Sequence, residues 1–149
     1  DGAVQHPGEH GGSLMAVANN EIQVQWGSAN SVSVSAGGNQ TSDVFAFSAT
    51  AFDAVVTLKA DNGGTPASGD TVDFYYLPTA GDPDGASTDE YPADDTNGIF
   101  LARLDTYAED PCVATLTIPV AKGGKLYAKS NAASNAITVS ACINEKTAS

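Results

Sequence analysis

The side chains best suited to chemistry are six acids that fall within one stretch, residues 79–98, where no basic residue occurs. They are Asp82, Asp84, Asp89, Glu90, Asp94 and Asp95. Carboxylate oxygens are the ligands that calcium prefers in proteins, so four of these acids are candidate calcium ligands: Asp82, Asp84, Asp94 and Asp95. The spacing does not match an EF-hand loop. A solvated acidic loop without a metal therefore stays the alternative, and the sequence predicts no other cofactor.

The two histidines of the chain offer little support for catalysis. His6 and His10 fit the zinc-protease pattern H-x-x-E-H, which needs a helix to place both rings on one face. Pro7 and Gly8 lie inside the motif and disfavour that helix. No histidine remains for a Ser-His-Asp triad outside this segment. A glycosidase needs two carboxylates on rigid elements, which a long polar loop does not provide. The sequence therefore predicts a protein that is not an enzyme.

The elements that must position these side chains are predicted to be short β-strands. Apolar residues alternate with polar ones around Val72, Phe74 and Tyr76, and the same period of two recurs along the chain. Turn residues such as Asp61–Gly64 separate the segments. We expect about eight or nine strands in one antiparallel sandwich or barrel at residues 21–146, with loop 79–98 and a polar tail at 147–149.

The first twenty residues lack this alternation. Residues 1–20 contain four glycines and one proline among polar residues, so we expect an extended N-terminal arm outside the sandwich. Such arms are commonly ordered by lying across a neighbouring molecule. The apolar residues Leu14, Met15 and Val17 are the expected contact points with a partner.

Charge restricts the partners. The net charge is −12, from 18 acidic and six basic residues, which argues against binding nucleic acid or an anionic membrane. Four of the five lysines fall within residues 122–146, so acidic and basic faces of neighbouring subunits could pair. The outward strand positions are rich in Ser, Thr and Ala, and such a weakly charged face can pack against a partner.

Cysteines and aromatic residues give two smaller expectations. Alternation places Cys112 on the core side of its strand and turns Cys142 outward, so no disulfide between them is expected. Trp26 and the tyrosines could form a sugar-stacking platform, although packing within the core or rim is the commoner role. The tyrosines are Tyr75, Tyr76, Tyr91, Tyr107 and Tyr127.

Four segments resemble small structural proteins from the virion genes of tailed bacteriophages. They are G-D-T-V-D-F-Y-Y-L (69–77), G-D-P-D-G (81–85), F-L-A-R-L-D-T (100–106) and K-L-Y-A-K-S-N-A-A-S-N-A-I-T-V-S-A (125–141). The resemblance implies a capsid decoration (cement) or head-fibre-type protein on the capsid exterior. It also implies a jelly-roll-like β-sandwich. The implied partners are the major capsid protein and further copies of the chain, which would form a homotrimer.

Two functions from different classes therefore follow from the sequence. The first is a non-enzymatic virion protein that decorates or cements the capsid surface through oligomeric β-sandwich modules. The alternative is a carbohydrate-binding attachment module that uses exposed tyrosines and the acidic loop, with or without calcium. A small hydrolase ranks last, because the chain lacks a suitable histidine or a fixed carboxylate pair.

Overall fold

The computed structural model describes residues 16–149, which form ten β-strands and no helix. The strands are β1 (Val17–Gln23), β2 (Val32–Val34), β3 (Asn39–Thr41), β4 (Phe45–Ala46), β5 (Ala51–Asn62), β6 (Thr71–Thr79), β7 (Ile99–Asp105), β8 (Cys112–Thr117), β9 (Gly123–Ser130) and β10 (Ile137–Ala148). Within this part of the chain, no helix is long and apolar enough to cross a membrane.

The strands form two antiparallel sheets in the jelly-roll order. The first sheet runs β1-β10-β5-β8, and β2 continues the β1 edge along β10. The second sheet runs β3-β9-β6-β7, and β4 continues the β3 edge along β9. Six of the nine connections cross between the sheets, as in the double Greek key of jelly rolls. The predicted antiparallel, jelly-roll-like sandwich is confirmed.

The core fills the space between the sheets and follows from the alternation of side chains. In β5, Ala54, Val56, Leu58 and Ala60 are buried, while the residues between them face outward. A fully buried valine or leucine side chain contributes about 1.5–3 kcal/mol through the hydrophobic effect. Tyr76 is also fully buried, and its hydroxyl group donates a hydrogen bond to the Pro119 carbonyl at 2.9 Å. Burial raises the pKa of Tyr76 to about 12.

Two boundaries differ from those expected. Residues 17–20, predicted to be part of the arm, belong to β1 and pair in register with the segment 145–148 of β10. The tail expected at 147–149 is strand as far as Ala148. Backbone pairing between β1 and β10 decides both boundaries. Most β1 side chains are exposed, so apolar and polar residues do not alternate clearly there. Residues 1–15 of the expected arm lie outside the described residues.

Candidate functional site

The acidic loop, residues 80–98, lies against the outer face of the second sheet. Leu77 occupies an outward position in β6, yet it is fully buried and lies outside the main core. Gly98 packs so closely here that a β-carbon at this position would lie 2.7 Å from Leu77 Cδ2. Tyr127, which pairs with Tyr75 on the same face, is also buried. The loop therefore covers part of this face and forms a small second apolar cluster with it.

Two lysines of β9 and one directly before it contact the acidic loop. Lys122 Nζ lies 2.9 Å from Asp89 Oδ1, and Lys129 Nζ lies 3.1 Å from Asp95 Oδ2. Lys125 Nζ stands 4.7 Å from the centre of the Tyr91 ring, within the range of a cation–π contact. Three of the four C-terminal lysines thus contact the acidic loop of their own chain.

Asp82 organises the tip of the loop. Its Oδ1 accepts hydrogen bonds from the backbone N–H groups of Asp84, at 3.2 Å, and Gly85, at 3.1 Å, and its Oδ2 accepts one from Ser87 N–H. Desolvation acts to raise the pKa of Asp82, but hydrogen bonds from the Asp84 side chain and the loop backbone outweigh it and lower the pKa. Both carboxylate oxygens therefore already serve the loop's own backbone.

The four candidate calcium ligands lie in different environments. Asp82 and Asp84 shape the loop tip, Asp94 accepts the Thr96 N–H at 2.9 Å, and Asp95 faces Lys129. In the described part of the chain, no group of three or more His, Cys, Asp or Glu side chains could hold a metal ion. Calcium binding at these residues stays a prediction from the sequence, and the proposed function does not depend on it.

An open pocket of about 310 Å³ lies at the base of the loop. Pro78–Pro83 form one wall and Glu90 lines the other. The Glu90 N–H donates to the Gly81 carbonyl at 3.0 Å, which closes the loop across its base. Of the two carboxylates that line the pocket, Asp82 is engaged by the loop backbone and Glu90 is exposed.

A salt bridge joins the central and edge strands on the same sheet face. Arg103 of β7 donates from Nε to Asp73 Oδ1 at 2.7 Å and from Nη2 to Asp73 Oδ2 at 2.9 Å. Asn131 Nδ2 donates to Asp73 Oδ2 at 3.1 Å. Asp73 is buried, whereas the Arg103 side chain is 59% exposed. The hydrogen bonds from Arg103 lower the pKa of Asp73 below its ordinary value of 3.8; burial opposes this and Asn131 reinforces it.

We expect Arg103→Ala to lower the stability of the fold more at neutral pH than in acid. Because the folded-state pKa of Asp73 is depressed, its contribution to stability is present above 3.8 and is lost as the pH falls through the folded-state pKa. Urea unfolding of the variant and the wild type at about pH 7 and about pH 2 checks this, since the difference between them should shrink in acid. Arg103→Lys keeps the charge but loses the two-pronged geometry. Its stability should lie between those of the wild type and Arg103→Ala. An equal difference at both pH values would contradict the prediction.

The outer face of the first sheet is bare within the described chain. It presents a mixture of hydroxyl-bearing, charged and apolar side chains, and Thr57 and Thr115 share a hydrogen bond of 2.8 Å. A shallow groove of about 220 Å³ runs between Gln23, Lys59 and Cys142. The Cys142 thiol donates to Glu21 Oε2 at 3.0 Å. Desolvation, reinforced by Glu21, raises the pKa of Cys142 to about 11, so the thiol is a poor nucleophile at neutral pH.

The sequence-based orientations of the two cysteines are confirmed. Cys142 pairs with the outward Thr57, whereas Cys112 pairs with the inward Ala60, and both are free thiols.

The aromatic residues do not share one exposed surface. Trp26, Tyr76 and Tyr127 are buried, Tyr75 and Tyr91 are half-buried, and Tyr107 is 60% exposed.

Of the residues expected to contact a partner, Val17 lies at the start of β1 and is 56% exposed. Leu14 and Met15 lie outside the described residues.

Sequence reasoning missed a buried polar cluster at one end of the sandwich. Asp70 Oδ2 accepts hydrogen bonds from Asn135 Nδ2 at 2.8 Å, Ala67 N–H at 3.0 Å and Asn62 Nδ2 at 3.0 Å. These bonds, led by that from Asn135, lower the pKa of Asp70 against the effect of burial. Asn62 also donates to Thr106 Oγ1 at 2.9 Å, so the cluster joins three connections between strands.

A second buried carboxyl group was also missed. Glu145 is 1% exposed and continues the inward row of β10 one step beyond Ile143. Its Oε1 accepts the Ser48 N–H at 2.9 Å, and its Oε2 accepts Asn20 Nδ2 at 2.7 Å. Continuing the inward row of β10 two residues past Ile143 would have predicted that Glu145 is buried.

Comparison with known proteins gives likenesses to solved structures only. No protein-family model matches the chain, and no curated protein matches it. A family 16 carbohydrate-binding module is 9% identical with a TM-score of 0.43, over 78% of this chain and 79% of that one. A chain of the capsid of Helicobacter pylori bacteriophage KHP30 is 14% identical with a TM-score of 0.39, over 86% and 93%. A chain of the Israeli acute paralysis virus particle is 11% identical with a TM-score of 0.34, over 100% and 83%. At these values the likenesses carry no argument about function.

Proposed function

We propose that this chain is a non-enzymatic structural component of a tailed-phage virion, which decorates the capsid exterior and binds the major capsid protein. The resemblance of residues 69–77, 81–85, 100–106 and 125–141 to virion structural proteins is the starting point. Jelly rolls serve in viral capsid domains, although the fold alone does not fix a function.

The observation that carries the proposal is that five of the six loop acids are engaged in holding the molecule together. The loop backbone donates to Asp82, Asp84 and Asp94, and lysines pair with Asp89 and Asp95. Side chains fixed in this way stabilise a rigid module. A rigid module with a strongly acidic exterior suits a protein displayed in many copies, because net charge keeps crowded surfaces soluble.

Within this proposal, the N-terminal segment makes the contact with the capsid. Leu14 and Met15 precede Val17, which stands exposed at the start of an edge strand. The acidic loop is held against its own sheet by Lys122 and Lys129, so we assign it no capsid contact. The trimeric state stays an implication of the resemblance.

Glycan binding is the alternative, and no specific arrangement of residues favours it. The tyrosines that would stack on sugar rings are distributed between the core, the loop-covered face and Tyr107. A glycan array that gives reproducible binding, abolished by a chelator, would support this alternative over the capsid role.

The test is binding to phage capsids that lack the protein. We expect the full chain to bind at a fixed copy ratio to the major capsid protein, and we expect deletion of residues 1–15 to abolish binding. The deletion stops before β1, since removing Val17 or Ala18 would also remove pairs with β10. A double change of Leu14 and Met15 to serine is the matched control for length. Absence of binding by the full chain would overturn the capsid role, whereas undiminished binding by the deletion would overturn only the role of the arm.

A further inference from the structure

The open edge of the first sheet is a strand whose own six residues carry none of the usual protection against pairing, although Pro111 and Pro119 flank it. In the described part of the chain, β8 pairs with β5 alone. Its sequence, C-V-A-T-L-T, contains no charge and no proline. Edge strands of monomeric proteins are commonly protected by charges, prolines or bulges. β7, the neighbouring edge of the second sheet, carries Arg103 and pairs through a bulge, and β1 carries Glu21.

Alternation of the hydrogen bonds shows which backbone groups of β8 are unpaired. The Ile118 N–H donates to the Ala54 carbonyl of the β5 side at 3.0 Å. In an antiparallel pair, every second residue points its N–H and C=O groups at the same neighbour. Ala114 and Leu116 therefore point theirs toward β5, and Val113, Thr115 and Thr117 point theirs away from it. These three residues form a row of donors and acceptors ready to pair with another strand.

The apolar surface beside this edge is incompletely covered. The inward residues Cys112, Ala114 and Leu116 are only half-buried, whereas those of the central strand β5 are buried. Among the described residues, four of the seven exposed large apolar side chains lie on β7, β8 or the connection between them. They are Ile99, Phe100, Tyr107 and Val113. A further strand along β8 would cover part of this flank.

We propose that β8 pairs antiparallel with β8 of a second copy of this chain, about a twofold axis at Thr115. In this register Thr115 faces its own copy, Val113 faces Thr117 and Ala114 faces Leu116. β-branched residues thus meet on the outer face, and a small residue meets a large one on the inner face, which are favourable cross-strand pairs. The result is an isologous contact that joins the first sheets of two molecules.

Self-complementarity favours a second copy of the chain as the occupant, because the same uncharged strand supplies both members of every pair in this register. With a net charge of −12, two copies repel each other over most of their surface. β8 places no charged side chain opposite another, so the repulsion is least where the backbone groups are free. The contact is independent of the capsid role, and it gives a dimer where the resemblance implies a trimer.

The test is the mass of the full chain in solution, measured by light scattering after gel filtration. We expect twice the chain mass of 15.1 kDa for the wild type. Thr115→Lys and Thr115→Glu should each be monomeric, because each places like charges opposite one another across the axis. An equimolar mixture of the two should restore the dimer, since the charges then attract. Both variants lose the same hydrogen bond to Thr57, so recovery in the mixture separates pairing from folding.

Thr138→Lys is the matched control, because Thr138 is exposed on the same sheet but lies in the central strand β10. It should remain a dimer. Hydrogen exchange at the amides of Val113, Thr115 and Thr117 should be slow in the wild type and fast in Thr115→Lys. A monomeric or trimeric wild type, a dimer that survives Thr115→Lys, or a mixture that stays monomeric would each overturn the proposal. None of these results depends on whether the chain binds a capsid.

Discussion

Replacing Glu145 with alanine is expected to lower the free energy of unfolding by about 2–4 kcal/mol. The side chain is 1% exposed, and its carboxyl group accepts hydrogen bonds from Asn20 Nδ2 and Ser48 N–H. Asn20 and Ser48 are exposed residues, so each lost hydrogen bond costs about 0.5–1.5 kcal/mol, and the cavity adds about 1 kcal/mol. Through these two hydrogen bonds, the carboxyl group links Asn20 of β1 to Ser48 in the connection between β4 and β5. The amides of residues 17–20 should therefore exchange faster in the variant.

Urea unfolding measures the loss, and two variants serve as controls. Glu145→Gln keeps the volume but offers one acceptor where two donors need one each, so its cost should be about half as large. Lys146→Ala changes the exposed neighbour in the same strand and should shift stability by about 0.5 kcal/mol or less. A loss below about 1 kcal/mol for Glu145→Ala would show that the hydrogen bonds contribute little.

Leu77→Ala is expected to lower stability by about 2–3 kcal/mol and to release the acidic loop. Leu77 is fully buried, but it lies beneath loop 80–98 rather than between the sheets. Its loss leaves a cavity under Gly98 that the loop can partly fill by moving inward, which places the cost at the low end for such a change. Hydrogen exchange should therefore rise first in the loop, at amides near Asp94–Gly98.

Leu58→Ala is the matched comparison for this experiment. Leu58 is equally buried, but it lies in the main core on β5. The same substitution there should cost about 3–5 kcal/mol and should accelerate exchange throughout the sandwich, because the surrounding strands cannot close the cavity. Equal exchange patterns for the two variants would mean that the loop and the sandwich unfold as one unit.

Much of the fold could be predicted because alternation reports burial directly. The inward row of β5 and the opposite orientations of Cys112 and Cys142 both follow from the period of two. The prediction failed at the chain ends, where β1 is a mostly exposed edge and its side chains carry little of the pattern. It also expected about eight or nine strands where ten are observed, because β3 has only three residues, Asn39–Thr41, all of them polar and none buried.

The sequence by itself determined an all-β sandwich, the location of the acidic loop and the excess of lysines near the C-terminus. Only the tertiary structure decided that those lysines face that loop, with Lys122 on Asp89 and Lys129 on Asp95. It also decided that Leu77 is buried on an outward row and that β8 stands at an open edge. The physical reason is that side-chain periodicity acts between adjacent residues, whereas strand order and loop placement depend on contacts between residues far apart in the chain.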